Sequence, residues 1–387
     1  MKQSKLSLAA VFCLTVFAGC KKDAGLSDQQ KGEGNLDKNI AGIVLAERGA
    51  SGGHVYTLSN ETSGNKVLEY KRGADGKLNF STAYNTGGNG SGGGLGNQGA
   101  IIISGENEVL LAVNAGSNSI AAFKITGSGL QLESTVASNG IKPVSITQHG
   151  NFVFVLNAGG DGNISGFRLD NGKLEPISNS TRPLSSSASG AAEVAFVNDG
   201  NDLAITEKAT NKIITYTVSG DGIPGAMHSI TSANPTPFGF AVGRNGNIFV
   251  SEAAGGAAKA SAVSSYHIGY SGEISLVTGP VSTNQTAACW VVLTTNGKYA
   301  YATNTASNTI SSYSTGNSGS LGLSASVAAS TDAGPIDAAL SKNSKYLYVL
   351  NGVGHSISVY SVSNEGALSA VQTVTGLVPG DTGLAVW

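Results

Sequence analysis

Three glutamates and two cations are the residues of this chain best suited to chemistry: Glu193, Glu207 and Glu252, with Arg182 and Lys208. A carboxylate whose pKa is raised by neighbouring acids can take a proton from water, and a guanidinium or ammonium beside it can hold the developing negative charge. Glu207 and Glu252 draw attention by position. They end an apolar stretch whose other copies end in asparagine: Asn114 after Leu111-Ala-Val, Asn157 after Phe154-Val-Leu, Asn304 after Tyr301-Ala-Thr, Asn351 after Tyr348-Val-Leu. Asparagine suits a strand end before a tight loop, because its side chain bonds nearby backbone and tolerates left-handed conformations. Glutamate has no such preference, so either a salt bridge with Lys208 or a functional site is expected to select it.

With a degenerate copy ending at Asn60, the phrase occurs seven times, at spacings of about 43 to 54 residues. That spacing holds four short strands and their turns, the unit of a propeller blade. Pro143 to Ser180 illustrates one unit. Val144–Gln148 alternates, His149-Gly-Asn151 turns, and Phe152–Leu156 is continuously apolar, as a strand covered on both faces must be. Ile164–Leu169 alternates again, Asp170-Asn-Gly172 makes a hairpin turn, and Leu174–Asn179 leads outward. The predicted fold is all-β, a seven-bladed propeller of four-stranded antiparallel blades over residues 40–387. The first blade begins with its second strand, His54–Leu58, and the segment Asp381–Trp387 matches an innermost strand, so joining the two closes the ring and removes an open edge.

In such a ring, loops leaving the second strands and loops leading into the first strands share one face around the central channel. This brings Gln98, Glu193, Phe238, Trp290 and Asp337 to one rim with Asn60, Asn114, Asn157, Glu207, Glu252, Asn304 and Asn351. Gln98, Phe238, Trp290, Asp337, Asn304, Asn351 and Lys208 are the expected ligand contacts. Arg182, upstream of Glu193, joins Lys208 as a positive counterpart. The Gly-rich run Gly87–Gly94 lacks the Lys-Ser/Thr ending of a phosphate loop and is expected to be a flexible loop at this mouth. His149 falls in a turn on the opposite face, while His355 alone among the loop histidines could approach the rim.

The ends and the composition set further bounds. Met1–Lys5, the apolar run Leu6–Phe17 and Ala18-Gly19-Cys20 have the three regions of a secretory signal, too short to span a bilayer. Phe-Ala-Gly-Cys resembles a bacterial lipobox, which makes Cys20 the expected lipidated first residue after a signal over 1–19, with 20–39 a polar tether. The envelope of a bacterium, at the outer membrane, is the expected location. Only 12% of the chain is charged, about half the usual share, and the net charge is −2 without a basic run, which argues against a nucleic-acid partner. Cys289 stands alone beside Trp290, so neither a disulfide within the domain nor a cysteine metal site is expected. No cofactor or metal is called for, and a monomer touching the membrane through its anchor alone is expected.

The repeated Tyr/Phe-Val-x-Val-Asn, the Asn-Ser-Ile that follows and the Asp/Asn-Gly-x-Leu hairpins resemble the lactonase-like seven-bladed propellers, which include 6-phosphogluconolactonase and carboxymuconate lactonising enzyme. The segments Thr206–Asn211, Thr236–Phe240, Gln285–Trp290 and Gly334–Asp337 look like a secreted branch of that group. The resemblance implies a lactonase, but this chain departs from the catalytic members. Ala191-Ala-Glu193 stands where they carry a His-Pro-His type segment, Ser251-Glu252 half-matches their Asn-Glu pair, and Phe238 or Ile336 replaces an arginine. What remains is a carboxylate route to a sugar or related lactone, with Glu193, Glu207 or Glu252 as base and Arg182 or Lys208 as stabiliser. The alternative is a non-catalytic propeller holding a carbohydrate, a cation or a protein partner.

Overall fold

Runs of Val, Ile, Phe and Tyr punctuated by Gly, Asn and Asp leave this chain little choice but short strands and tight turns. The computed structural model describes residues 52–104 and 108–387. The signal, Cys20, the tether and residues 40–51 of the expected domain lie outside the described residues. Seven antiparallel sheets follow one another around a ring, six of them built from consecutive strands in chain order. Among the described residues the one helical turn is a 3₁₀ turn at Ala254–Gly256.

The seventh sheet to be completed is the first blade. Its strands Gly53–Leu58, Lys66–Arg72 and Leu78–Asn85 are joined by Thr382–Val386, which pairs antiparallel with Gly53–Leu58. His54 N donates to Trp387 O at 2.9 Å and Trp387 N to His54 O at 2.7 Å, so closure extends past the strand itself. The predicted ring closure is therefore present, and it leaves no innermost edge open. One detail differs from expectation. The fourth strand of the third blade is Lys173–Pro176, and a two-residue strand, Arg182–Pro183, pairs separately with the same third strand.

Second strands such as Val109–Asn114, Asp202–Glu207 and Asn247–Glu252 are buried along their whole length, because neighbouring blades cover both faces. Each third strand carries one buried aromatic: Tyr70, Phe123, Phe167, Tyr216, Tyr266, Tyr313 and Tyr360. Burying such a ring is worth about 1.5–3 kcal/mol. Several of the hydroxyls also staple blades together. Tyr216 donates to Pro183 O at 2.5 Å and Tyr360 to Ser330 O at 2.6 Å, each a carbonyl of the preceding blade.

Candidate functional site

The rim residues expected from the repeat do converge, but the mouth they surround is filled. Gln98 Nε2 reaches toward Phe240 O at 3.3 Å and Val291 O at 3.5 Å, spanning from the second blade to the fifth and sixth. Glu193 Oε2 accepts from Phe240 N at 2.6 Å, Phe238 packs on Trp290 with ring centroids 5.5 Å apart, and Lys208 donates to Gly96 O while its ammonium lies 4.6 Å from the Phe238 ring centre. Gln98, Trp290 and Asp337 are each 0% exposed. Gly239 permits this plug, since a Cβ there would stand 1.8 Å from Gln98 Oε1.

The glycine-rich segment brings the plug into place, and it is tied down where a flexible loop was expected. Ser91 N donates to Asn60 Oδ1 at 2.8 Å, Asn60 Nδ2 to Gly93 O at 2.7 Å, and Gly90 N to Glu61 O at 2.8 Å. A Cβ at Gly90 would lie 2.1 Å from the Asn60 carbonyl carbon, so the segment needs glycine to pass. Beyond it, Leu95, Asn97 and Gln98 turn inward and are buried.

The two glutamates at the asparagine slot have a structural explanation. Glu207 accepts from Ser185 N at 2.8 Å, from Ser185 Oγ and from Thr210 Oγ at 2.5 Å, holding the loop that leads into its blade. Glu252 accepts from Ser264 Oγ at 2.6 Å and Tyr266 Oη at 2.8 Å, and Tyr266 Oη in turn accepts from Ala233 N at 2.7 Å. Burial pushes the Glu252 carboxyl up, against the downward pull of those hydroxyl donors. The asparagines do similar work: Asn157 Nδ2 donates to Ser138 O at 3.1 Å, Asn304 Nδ2 to Ser311 Oγ at 2.9 Å, and Asn351 Nδ2 to Ser358 Oγ at 2.9 Å. Arg182, expected as a positive counterpart to the rim acids, belongs to the outer strand opposite Ile164 and donates to Asn179 O and Thr181 O, both at 2.9 Å.

Open space lies on the other face. A cavity of about 1190 Å³ is framed by turns between first and second strands, among them Gln148-His149, Asn198–Gly200, Arg244–Gly246, Thr294-Thr295 and Ser341-Lys342. It extends over one face of the first blade. There the register Tyr56↔Glu69, His54↔Lys71 and Glu69↔Thr82, with the strand period of two, lines up His54, Tyr56, Glu69, Lys71, Thr82 and Tyr84. Ile103, Ile125 and the turn Thr126–Gly129 of the second blade also line it.

Within this face a buried carboxylate holds two partners. Glu69 Oε1 stands 2.5 Å from His54 Nδ1, and its Oε2 accepts from Tyr84 Oη at 3.0 Å. Glu69 is 3% exposed and the His54 side chain 34%, so the carboxylate is enclosed while the imidazole meets the cavity. Tyr56 stacks on His54, centroids 6.0 Å apart and planes 13° from parallel. Burial and the Glu69 charge push the Tyr56 phenol far up, and burial raises that of Tyr84, so both stay neutral and able to donate.

Sequence reasoning missed these residues because it searched the opposite face. A signal was nevertheless present. The residue before the third-strand aromatic is Ala122, Gly166, Thr215, Ser265, Ser312 or Val359 in six blades and Glu69 in the first. A lone carboxylate at a slot otherwise filled by small or apolar residues, between two blades, marks an exception to packing.

Among known proteins, the family model described as lactonase, 7-bladed beta-propeller, matches residues 46–187 and 278–385. A search of curated proteins finds no match to the chain. Solved structures of the same fold include a putative 6-phosphogluconolactonase from Bacteroides fragilis, 16% identical, covering 87% of this chain and 98% of its own, with a TM-score of 0.67. A periplasmic gluconolactonase from Pseudomonas aeruginosa is 15% identical, covering 87% of this chain and 99% of its own, with a TM-score of 0.67. With well over half of its length matched, the chain belongs to the seven-bladed β-propeller lactonase family.

Proposed function

We propose that this protein hydrolyses a sugar or related lactone, and that it does so in the open cavity on the face of the first-to-second strand turns. The observation that carries the reading is the cavity itself: about 1190 Å³ with polar and cationic lining, in a member of the lactonase family whose opposite mouth is packed with side chains. Lactone opening needs a base to activate water and a cation or donors for the oxyanion. The rim acids Glu193, Glu207 and Glu252 are buried and bonded, which makes them poorer candidates than groups lining the cavity. The lipobox-like Phe-Ala-Gly-Cys20 supports a lipid-anchored protein of a bacterial envelope at the outer membrane, and among the described residues no helix is long and apolar enough to cross a membrane.

A second reading, carbohydrate binding without turnover, is favoured by Tyr270, 78% exposed at the cavity edge near Asn245 and Asn317. Incubation with glucono-δ-lactone and dihydrocoumarin, with acid release followed at constant pH, separates the two. Turnover above buffer supports hydrolysis. Saturable glycan binding with no acid release favours the binding module and ends the lactonase reading.

A further inference from the structure

We infer that His54 and Glu69 form a general-base dyad, a catalytic site in the cavity of the first blade for the hydrolysis of cyclic esters. The inference rests on the lactonase reading for its substrate class and on the geometry for its residues. His54 Nδ1 is buried 2.5 Å from Glu69 Oε1, an ion-pair contact that falls outside hydrogen-bond geometry in this structure, and the ring nitrogen left to a ligand in the cavity is Nε2. A ring turned so that its Nδ1–H meets this neighbouring carboxylate has the Nε2 lone pair free, and the carboxylate charge then stabilises the imidazolium formed when Nε2 takes a proton.

Three features hold the pair in place. Tyr84 Oη fixes the second oxygen of Glu69 at 3.0 Å. Gly129 allows the second blade to close over Tyr84, since a Cβ there would stand 2.2 Å from its hydroxyl oxygen. The backbone of His54 is clamped on both its N–H and its carbonyl by Trp387. Lys71, cross-strand from His54 on the same face and itself exposed, supplies the positive charge. The other blades place no such pair at these positions: the residues equivalent to Glu69 are Ala122, Gly166, Thr215, Ser265, Ser312 and Val359. A structural requirement of the fold would recur, whereas this carboxylate occurs once, beside the cavity.

The step balances without a co-reactant. His54 Nε2 takes one proton from water as the water oxygen bonds to the lactone carbonyl carbon, and the carbonyl pair moves onto oxygen beside the Lys71 ammonium. Collapse of that tetrahedral species breaks the ring C–O bond. The departing alkoxide takes the proton back from Nε2, leaving a hydroxy acid and the neutral imidazole.

The test uses the whole folded chain with glucono-δ-lactone and dihydrocoumarin as probes. In His54→Gln the kcat falls about 100-fold or more, and in Glu69→Gln it falls about tenfold or more with KM within twofold of wild type. The acid limb of the kcat/KM profile, where the base is lost to protonation, disappears in His54→Gln. Variants matching wild type in kcat and pH profile overturn the dyad while leaving the lactonase reading intact. If wild type turns over neither probe, that reading fails separately and ring ¹⁵N shifts decide the dyad. A His54 proton on Nδ1 that is lost or redistributed in Glu69→Gln supports it. A ring protonated on Nε2 in wild type overturns it.

Discussion

The two faces of this ring are made from the same repeated blade, yet one is sealed and the other open. On the sealed face, a single glycine-rich connection carries Leu95–Gln98 into the channel, and Phe238, Trp290 and Glu193 pack or bond against what it brings. On the open face, short turns frame the channel, and the first blade adds a polar surface where its neighbours pack small and apolar side chains. The difference teaches that a repeat sets which residues can meet but not whether water can reach them. Reach is decided by the irregular pieces, here one insertion and one substituted blade face.

The contrast can be broken most severely at the seam. Removing Leu384–Trp387 strips the first blade of its closing strand and should abolish cooperative folding and leave aggregated protein. An unchanged melting curve for the truncated chain would rule out ring closure as a condition of stability. Next in size is the plug. Gly239→Ala forces a Cβ into Gln98 Oε1, which should lower Tm by several degrees and leave lactone turnover per folded molecule unchanged. A large loss of kcat in correctly folded Gly239→Ala would return the site to the sealed face.

Smaller effects sharpen the same comparison. Glu252→Gln keeps the shape of a buried acceptor but adds an amide donor facing Ser264 and Tyr266, with an expected cost of about 1–3 kcal/mol in denaturant unfolding and no change in kcat. A kcat loss at unchanged stability would restore this acid to the chemistry.

Asp381 offers a pH test of the seam. Burial pushes its carboxyl up to about 8, against the downward pull of the Val378 backbone and with the charge of Glu61 adding to the rise. The native state therefore keeps a proton that the unfolded chain releases near its ordinary value of 3.8, so stability declines as pH rises from about 4 to about 8. Asp381→Asn should raise Tm by a few degrees at pH 8 and by less as the pH falls toward 4, measured by calorimetry. A gain independent of pH would contradict the assignment. Smallest of all, Tyr270→Ala should change KM by a few-fold with kcat unaltered, marking the edge of the open face.

Most of the architecture was readable because a repeat shows its own period: strand order, blade number and closure by Thr382–Val386 all follow from aligning copies. The membership of the sealed rim was readable too, since Gln98, Glu193, Phe238 and Trp290 do converge. Burial was not, because it depends on where Leu95–Gln98 goes after a run of glycines that carries no periodicity. The role of Glu207 and Glu252 was hidden for a related reason. Their partners Ser185 and Tyr266 are brought near by loop paths and cross-strand packing, which sequence spacing does not reveal. His54 and Glu69 were missed because fifteen residues separate them in the chain and pairing across two strands unites them. Departure from the histidine segment of the family's catalytic members pointed to carboxylates, although a histidine on the other face was available.

The pairing of His54 with Trp387 has a consequence for how this protein matures. The strand that presents the imidazole is among the first of the domain to be synthesised, and the strand that clamps it is the last. A chain emerging from the ribosome can stack six blades and still lack an ordered cavity wall. The dyad is therefore set when the ring shuts, so its chemistry would report on completed folding rather than on the presence of the blades.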